Sequence, residues 1–266
     1  MKKINPSLFE IFSEMQLRYR KLGLDILGNY SVHLKCKKHS NYVVKKNKLL
    51  CTSGGITNDE MSIIHSLGQE IRPKNILIIG NAYGISTLFM SLTFPNSKLV
   101  AFDKFRTQGI EITKKLLKGE KKKIVIKAST PEDLENIIFK YFKNNVDLIF
   151  VDAVHTDDMQ SKEFEIYNKY LSKKSCVIFH DIISCKLEKS FKNIKKKFVN
   201  YNFKLLNKST NGLGICVKGK VSKQLLNYLN YFSTEEKKAV KFINFLNDYF
   251  SNKKTKLFIT PKHPQI

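Results

Sequence analysis

The sequence predicts a doubly wound α/β fold: a mostly parallel seven-stranded sheet with helices on both faces and helical extensions at both ends. Two observations lead there. Short, wholly apolar runs alternate with amphipathic stretches of helical period through the middle of the chain. Several of those runs stop at glycine or aspartate, and open α/β sheets present their ligand-binding residues at the carboxyl ends of strands. A third observation makes the fold affordable: 266 residues with 42% hydrophobic content can bury a sizeable core.

The elements follow in order. Residues 6 to 22 have the spacing of an amphipathic helix, with Leu8, Phe9, Ile11, Phe12 and Leu17 as its apolar stripe. Residues 30 to 50 mix polar and β-branched residues and assign to no element. Residues 52 to 57 form a turn, and Asn58 or Asp59 caps a helix through Met61, Ile64 and Leu67. Asn75 to Ile79 is a continuous apolar run, as in a strand buried on both faces, and Gly80 stops it. Ser86 to Thr93 is helical, and Leu99 to Phe102 is a second strand ending at Asp103. A helix over Ile110 to Leu117 precedes a third strand, Lys123 to Lys127. A helix from Pro131 to Phe142 leads to a fourth strand, Val146 to Val151, ending at Asp152. A helix from about Asp158 to Tyr170 leads to a fifth, Cys176 to Phe179, ending at His180 and Asp181. Leu187 to Val199 is helical, and residues 203–206 and 213–217 complete the sheet. Two helical stretches follow Lys220. The second opens with the capping-box pattern Ser233-x-x-Glu236, and its apolar face must pack on the domain or on a second copy in a homodimer.

Composition bounds the partners. No apolar run approaches the about 20 residues that cross a bilayer, and the first residues carry no apolar secretion signal, so a cytoplasmic chain is expected. Five cysteines without a Cys-x-x-Cys pattern argue against a disulfide framework. His33, Cys36, His39 and Cys51 are zinc-capable side chains, but their spacing matches no common zinc pattern. The formal net charge of +24 would suit an anionic partner, nucleic acid included. The lysines are dispersed, however, and no aromatic-interleaved RNA-binding motif accompanies them. A compositional habit explains that charge better than a nucleic-acid site.

The chemistry gathers at the strand ends. Gly80 permits a tight turn directly off the first strand, and Gly84 permits close backbone approach. Asp103, at the tip of the second strand, can accept both hydroxyls of a ribose. Together they indicate an adenosine-containing cofactor. A dinucleotide normally wants G-x-G-x-x-G to receive its pyrophosphate. Here the middle position is Ala82 and the residue three after Gly84 is Thr87, so that fingerprint is incomplete and S-adenosylmethionine, which has no pyrophosphate, fits better. Asp152 and Asp181 close strands that should be neighbours, about 4.8 Å apart. Two such carboxylates can converge on Mg²⁺, which would orient and acidify an acceptor hydroxyl. His155, on the same rim, can serve as a general base.

In this order and spacing, Gly80-x-x-x-Gly84-x-Ser86-Thr87, Asp103, Ala128-Ser129, Val151-Asp152-x-x-His155 and Phe179-His180-Asp181 resemble the class I S-adenosylmethionine-dependent methyltransferases. The small-molecule O-methyltransferases are nearest: the catechol O-methyltransferase-like enzymes and the sugar or macrolide O-methyltransferases. Ser53-Gly-Gly-Ile-Thr57 and Gly212-Leu-Gly-Ile-Cys-Val-Lys218 are similar too, so the resemblance spans roughly residues 52 to 219. It implies a Rossmann-like sheet, with Gly80, Asn81, Gly84 and Ser86 lining the cofactor turn, Asp103 on the ribose and Ser129 near the adenine. Asp152, His155 and Asp181 would face the acceptor. The family commonly has an acid two residues before the first glycine, where this chain has Ile78. Some members hold a metal with a further acid or amide beside the fifth-strand aspartate, where this chain offers His180.

The expected organisation is an amino-terminal helix and lid over residues 1–57, a methyltransferase domain over 58–219 and a helical extension over 220–266. The expected activity is O-methylation of a small hydroxylated acceptor: a sugar, a glycan precursor or a secondary metabolite. An RNA-directed methyltransferase and a non-catalytic binding protein of the same fold are the alternatives, motivated by the charge and by Ile78 respectively.

Overall fold

A computed structural model describes residues 6–27, 40–46, 48–50, 55–105, 107–206 and 211–233. His33, Cys36, His39, Cys51 and the helix expected from Ser233 onward lie outside the described residues. The chain begins with α1 (Leu8–Lys21), then a small antiparallel sheet of β1 (Asp25–Leu27), β2 (Tyr42–Lys45) and β3 (Lys48–Leu49), then α2 (Asn58–Ile71). The alternating part runs β4 (Asn75–Ile79), α3 (Ile85–Thr93), β5 (Lys98–Asp103), α4 (Thr107–Leu116), β6 (Lys123–Lys127), α5 (Leu134–Phe142), β7 (Val146–Val151), α6 (Asp157–Tyr167) and β8 (Leu171–Phe179). It closes with α7 (Glu188–Lys197), β9 (Asn202–Leu206), β10 (Leu213–Lys218) and α8 (Lys223–Phe232).

The central sheet has seven strands in the order β6-β5-β4-β7-β8-β10-β9. β4 to β8 pair in parallel, while β10 runs antiparallel to β8 and β9. Strand β4 shows why the pattern dictates this. Ile76 and Ile78 point into one core, with α1, α2, α3, α4 and α8, whereas Leu77 and Ile79 point into the other, with α5, α6 and α7. All four are fully buried, each contributing about 1.5–3 kcal/mol by leaving water. Only a strand covered on both faces repays so unbroken an apolar run.

The order reverses between β4 and β7: β5 and β6 follow on one side, β8 on the other. The carboxyl ends of β4 and β7 therefore flank a crevice, the switch point at which such sheets take ligands. Gly80 leaves β4 there with φ +96°, and a side chain on it would run into the carbonyl of Asp152.

Three local readings need correction. The buried face of α1 is Ile11, Met15 and Tyr19, spaced by four, whereas Phe9 and Leu17 are exposed. Thr57, not Asn58 or Asp59, caps α2, because only Thr57 has a glutamate three residues on to complete the capping box. Helix α5 begins at Leu134, three residues after Pro131.

Candidate active site

The turn after β4 is held from within. Asp103 Oδ2, at the end of β5, accepts the backbone N–H groups of Asn81 (3.2 Å) and Ala82 (2.9 Å), and its Oδ1 accepts that of Phe105 (3.1 Å). The buried Asn81 amide donates to Thr113 Oγ1 at 2.9 Å and accepts from Thr87 Oγ1 at 2.8 Å, tying the turn to α3 and α4. Gly84 caps α3 at φ +87°, where a side chain would strike Thr113. Ala82 takes a positive φ of 43°, and its carbonyl lies so close to Gly109 that only glycine fits there. Ser86 is buried in the first turn of α3. The turn is thus built in advance, with its conformation set by Asp103, Asn81 and Thr113. On its far side the Tyr19 hydroxyl of α1 donates to the Tyr83 carbonyl at 2.8 Å.

Ser129 follows β6, and its N–H donates to Asp133 Oδ2 at 2.8 Å. The adjacent Thr130 hydroxyl donates to Glu163 Oε1 of α6 at 2.7 Å. Glu163 is fully buried, and that burial pushes its carboxyl up to about 7.

Across the switch point, five titratable side chains meet. His155 Nε2 lies 3.3 Å from Asp152 Oδ1 and 3.5 Å from Asp181 Oδ2. His180 Nδ1 faces the same two oxygens, at 3.1 and 3.4 Å. His180 Nε2 lies 3.1 Å from Glu60 Oε2. Asp181 is held by its positive φ of 58° and by the Ser184 hydroxyl, 2.5 Å from its Oδ1. Side-chain exposure rises from 0% at Glu60 and 1% at His180 to 15% at Asp152, 19% at Asp181 and 27% at His155, so the cluster is most open to solvent on the His155 side.

The electrostatics follow from this stacking. Burial works against ionisation of Asp152 and Asp181, but the His180 imidazole outweighs it and holds both carboxyls below their usual range. Burial likewise disfavours charged imidazoles. The carboxylates of Asp152 and Glu60 nevertheless raise His180 well above its usual range, and those of Asp152 and Asp181 raise His155.

The structure therefore brings Asp152, His155 and Asp181 together, and keeps Asp103 with Gly80, Asn81, Gly84 and Ser86 at the neighbouring turn. Sequence reasoning missed Glu60. Its capping box was legible, but its contact with a histidine 120 residues later was not. It also missed Glu163. Near the cluster's supporting helix, a cavity of about 260 Å³ lies between α1, β1 and the first turns of α2, lined by Phe12, Met15, Ile26, Asn41, Asn58 and Met61.

A family model described as "Methyltransferase domain" matches residues 77–182, from the middle of β4 to just past β8. No curated protein matches the chain. Among solved structures, the O-methyltransferase from Bacillus cereus in complex with S-adenosylhomocysteine superposes with a TM-score of 0.54 at 14% identity, covering 81% of this chain and 93% of that one. The O-methyltransferase TomG from Streptomyces achromogenes, involved in tomaymycin synthesis and bound to S-adenosylmethionine, gives 0.52 at 14% identity, covering 62% and 82%. A methyltransferase from Geobacter sulfurreducens gives 0.51 at 15% identity, covering 62% and 80%. These likenesses establish the shared fold. The family match spans the glycine turn, Asp103 and the Asp152–Asp181 strand tips, so residues 77–182 are similar to a methyltransferase domain on a fold shared with these structures.

Proposed function

We propose that this protein is an O-methyltransferase for a small hydroxylated acceptor, a sugar, glycan precursor or secondary metabolite. One observation carries the reading: His155 stands between two strand-tip carboxylates beside the turn after β4, on the most exposed side of the cluster. The acceptor oxygen attacks the sulfonium methyl in line. The carbon–sulfur bond breaks, S-adenosylhomocysteine leaves, and the hydroxyl proton passes to the His155 imidazole. Asp152 and Asp181 hold that imidazole in place and stabilise its charged form. At the cofactor end, Asp103 accepts the ribose hydroxyls, Gly80, Asn81, Gly84 and Ser86 line the turn, and Ser129 lies by the adenine.

The donor set also suits a divalent cation. Asp152, Asp181 and His180 each offer a ligand atom, and these atoms lie within 4.8 Å of one another. When bound, Mg²⁺ or a similar ion would supply a Lewis acid that lowers the acceptor hydroxyl's pKa. The supporting evidence for a small acceptor is the enclosure of the cluster and the amino-terminal helix packed beside the turn. The test is labelled methyl transfer from S-adenosylmethionine into a small-metabolite extract against total RNA. Labelling of metabolites is expected; sequence-selective labelling of RNA alone would replace this acceptor class with nucleic acid.

A further inference from the structure

We infer that Glu60 and His180 turn the strand-tip carboxylates into a mixed nitrogen–oxygen site that selects Mn²⁺, or a similar transition ion, over Mg²⁺. The inference rests on the proposed methyltransferase site and specifies its cation. Mg²⁺ prefers all-oxygen surroundings, whereas an imidazole donor favours first-row transition ions. His180 Nδ1 points at the gap between Asp152 Oδ1 (3.1 Å) and Asp181 Oδ2 (3.4 Å), where a cation would stand. Its other nitrogen is fixed. Glu60 Oε2, fully buried, accepts the Nε2–H at 3.1 Å and also the Thr57 N–H at 2.8 Å. This is the arrangement by which metal-binding histidines are oriented: a carboxylate behind the ring holds one N–H and leaves the opposite lone pair for the ion.

Two further features point the same way. The ring of His180 is also packed against Phe150, with centroids 5.8 Å apart, which supports its orientation. The buried Nε2 of His155 faces both carboxylates without closing a hydrogen bond to either, leaving the centre of the cluster short of a partner. An ion there would be held by Asp152, His180 and Asp181, beside His155.

Glu60 can be tested apart from its helix cap, because glutamine also completes a capping box. The full chain, stripped of metal, is titrated with Mn²⁺ and with Mg²⁺ by calorimetry. S-adenosylhomocysteine binding serves as the independent readout of fold and cofactor site. One Mn²⁺ per chain is expected, bound at least about tenfold more tightly than Mg²⁺. Pulsed electron paramagnetic resonance of the Mn²⁺-loaded protein should show coupling to one imidazole nitrogen, lost in His180→Gln. Glu60→Gln should weaken Mn²⁺ about 10–100-fold and Mg²⁺ far less. Cys185→Ser should leave Mn²⁺ affinity unchanged; a loss there would assign the ion instead to His155, Asp181 and Cys185, which also lie within reach of one another. Equal affinities for the two ions, absent nitrogen coupling, or an unaltered Glu60→Gln would each overturn the inference. If S-adenosylhomocysteine still binds while Mn²⁺ does not, the metal assignment fails and the methyltransferase reading stands; failure of S-adenosylhomocysteine to bind strikes that reading instead.

Discussion

Thr130 donates its hydroxyl to Glu163 at 2.7 Å, joining the loop after β6 to the buried face of α6. Glu163 Oε2 has no partner, and burial raises this carboxyl from 4.5 in the open chain to about 7. The folded state thus holds a proton that the unfolded state has lost, so stability falls as pH rises from about 4.5 through 7 and levels off above. The shift amounts to about 3 kcal/mol. Glu163→Gln keeps an acceptor for Thr130 and removes the titration. Chemical unfolding at pH 5 and pH 8 should show the variant losing much less stability than the parent between the two. Parallel losses would mean that Glu163 titrates normally.

Asp103 supports the cofactor turn through its hydrogen bonds to Asn81 and Ala82 and is the proposed ribose acceptor. Losing a charge-assisted pair of ribose hydrogen bonds costs about 1.5–3 kcal/mol. Asp103→Ala should therefore weaken S-adenosylhomocysteine binding tenfold or more by calorimetry. Unchanged affinity in a folded variant would place the ribose elsewhere.

Gly80 has no space for a side chain against the Asp152 carbonyl and sits at a φ that other residues rarely adopt. Gly80→Ala should destabilise the fold by about 3 kcal/mol or more, through overpacking and backbone strain together. Denaturant unfolding measures this, and a cost below about 1 kcal/mol would show that β4 and β7 part easily at their ends.

His155 is the proposed base. His155→Ala should lower turnover by about 10²–10⁴ while leaving S-adenosylhomocysteine affinity within about twofold. Undiminished turnover would pass the proton to another group of the cluster.

How much of this was legible follows from what sequence patterns report. The strands β4, β5 and β7 were readable because a strand buried on both faces is apolar at every position, with no phase to mistake. Asp103 and Asp152 were readable because each directly ends such a run, and Asp181 because it follows one at a single residue's remove, after His180. Helix α1 was misread in its face: Phe9 and Leu17 look like core residues but are exposed, while Tyr19, with its polar tip, is fully buried. Its hydroxyl is satisfied by a carbonyl 64 residues away, which no local period encodes. Glu60 was hidden for the same reason. A glutamate in the first turn of a helix reads as a cap, and its second role depends on His180 arriving from β8.

The hydrogen bond from Tyr19 to the Tyr83 carbonyl has a consequence for the protein's motions. Tyr83 belongs to the turn proposed to receive the cofactor, so the amino-terminal helix is fastened to the back of that turn rather than to a remote surface. Whatever steadies the turn from the front must also steady α1. Amide hydrogens in residues 11 to 21 should then exchange with solvent more slowly when S-adenosylhomocysteine is present. A Tyr19→Phe protein should retain the helix and lose most of that shared protection, separating the helix's own stability from its grip on the cofactor turn.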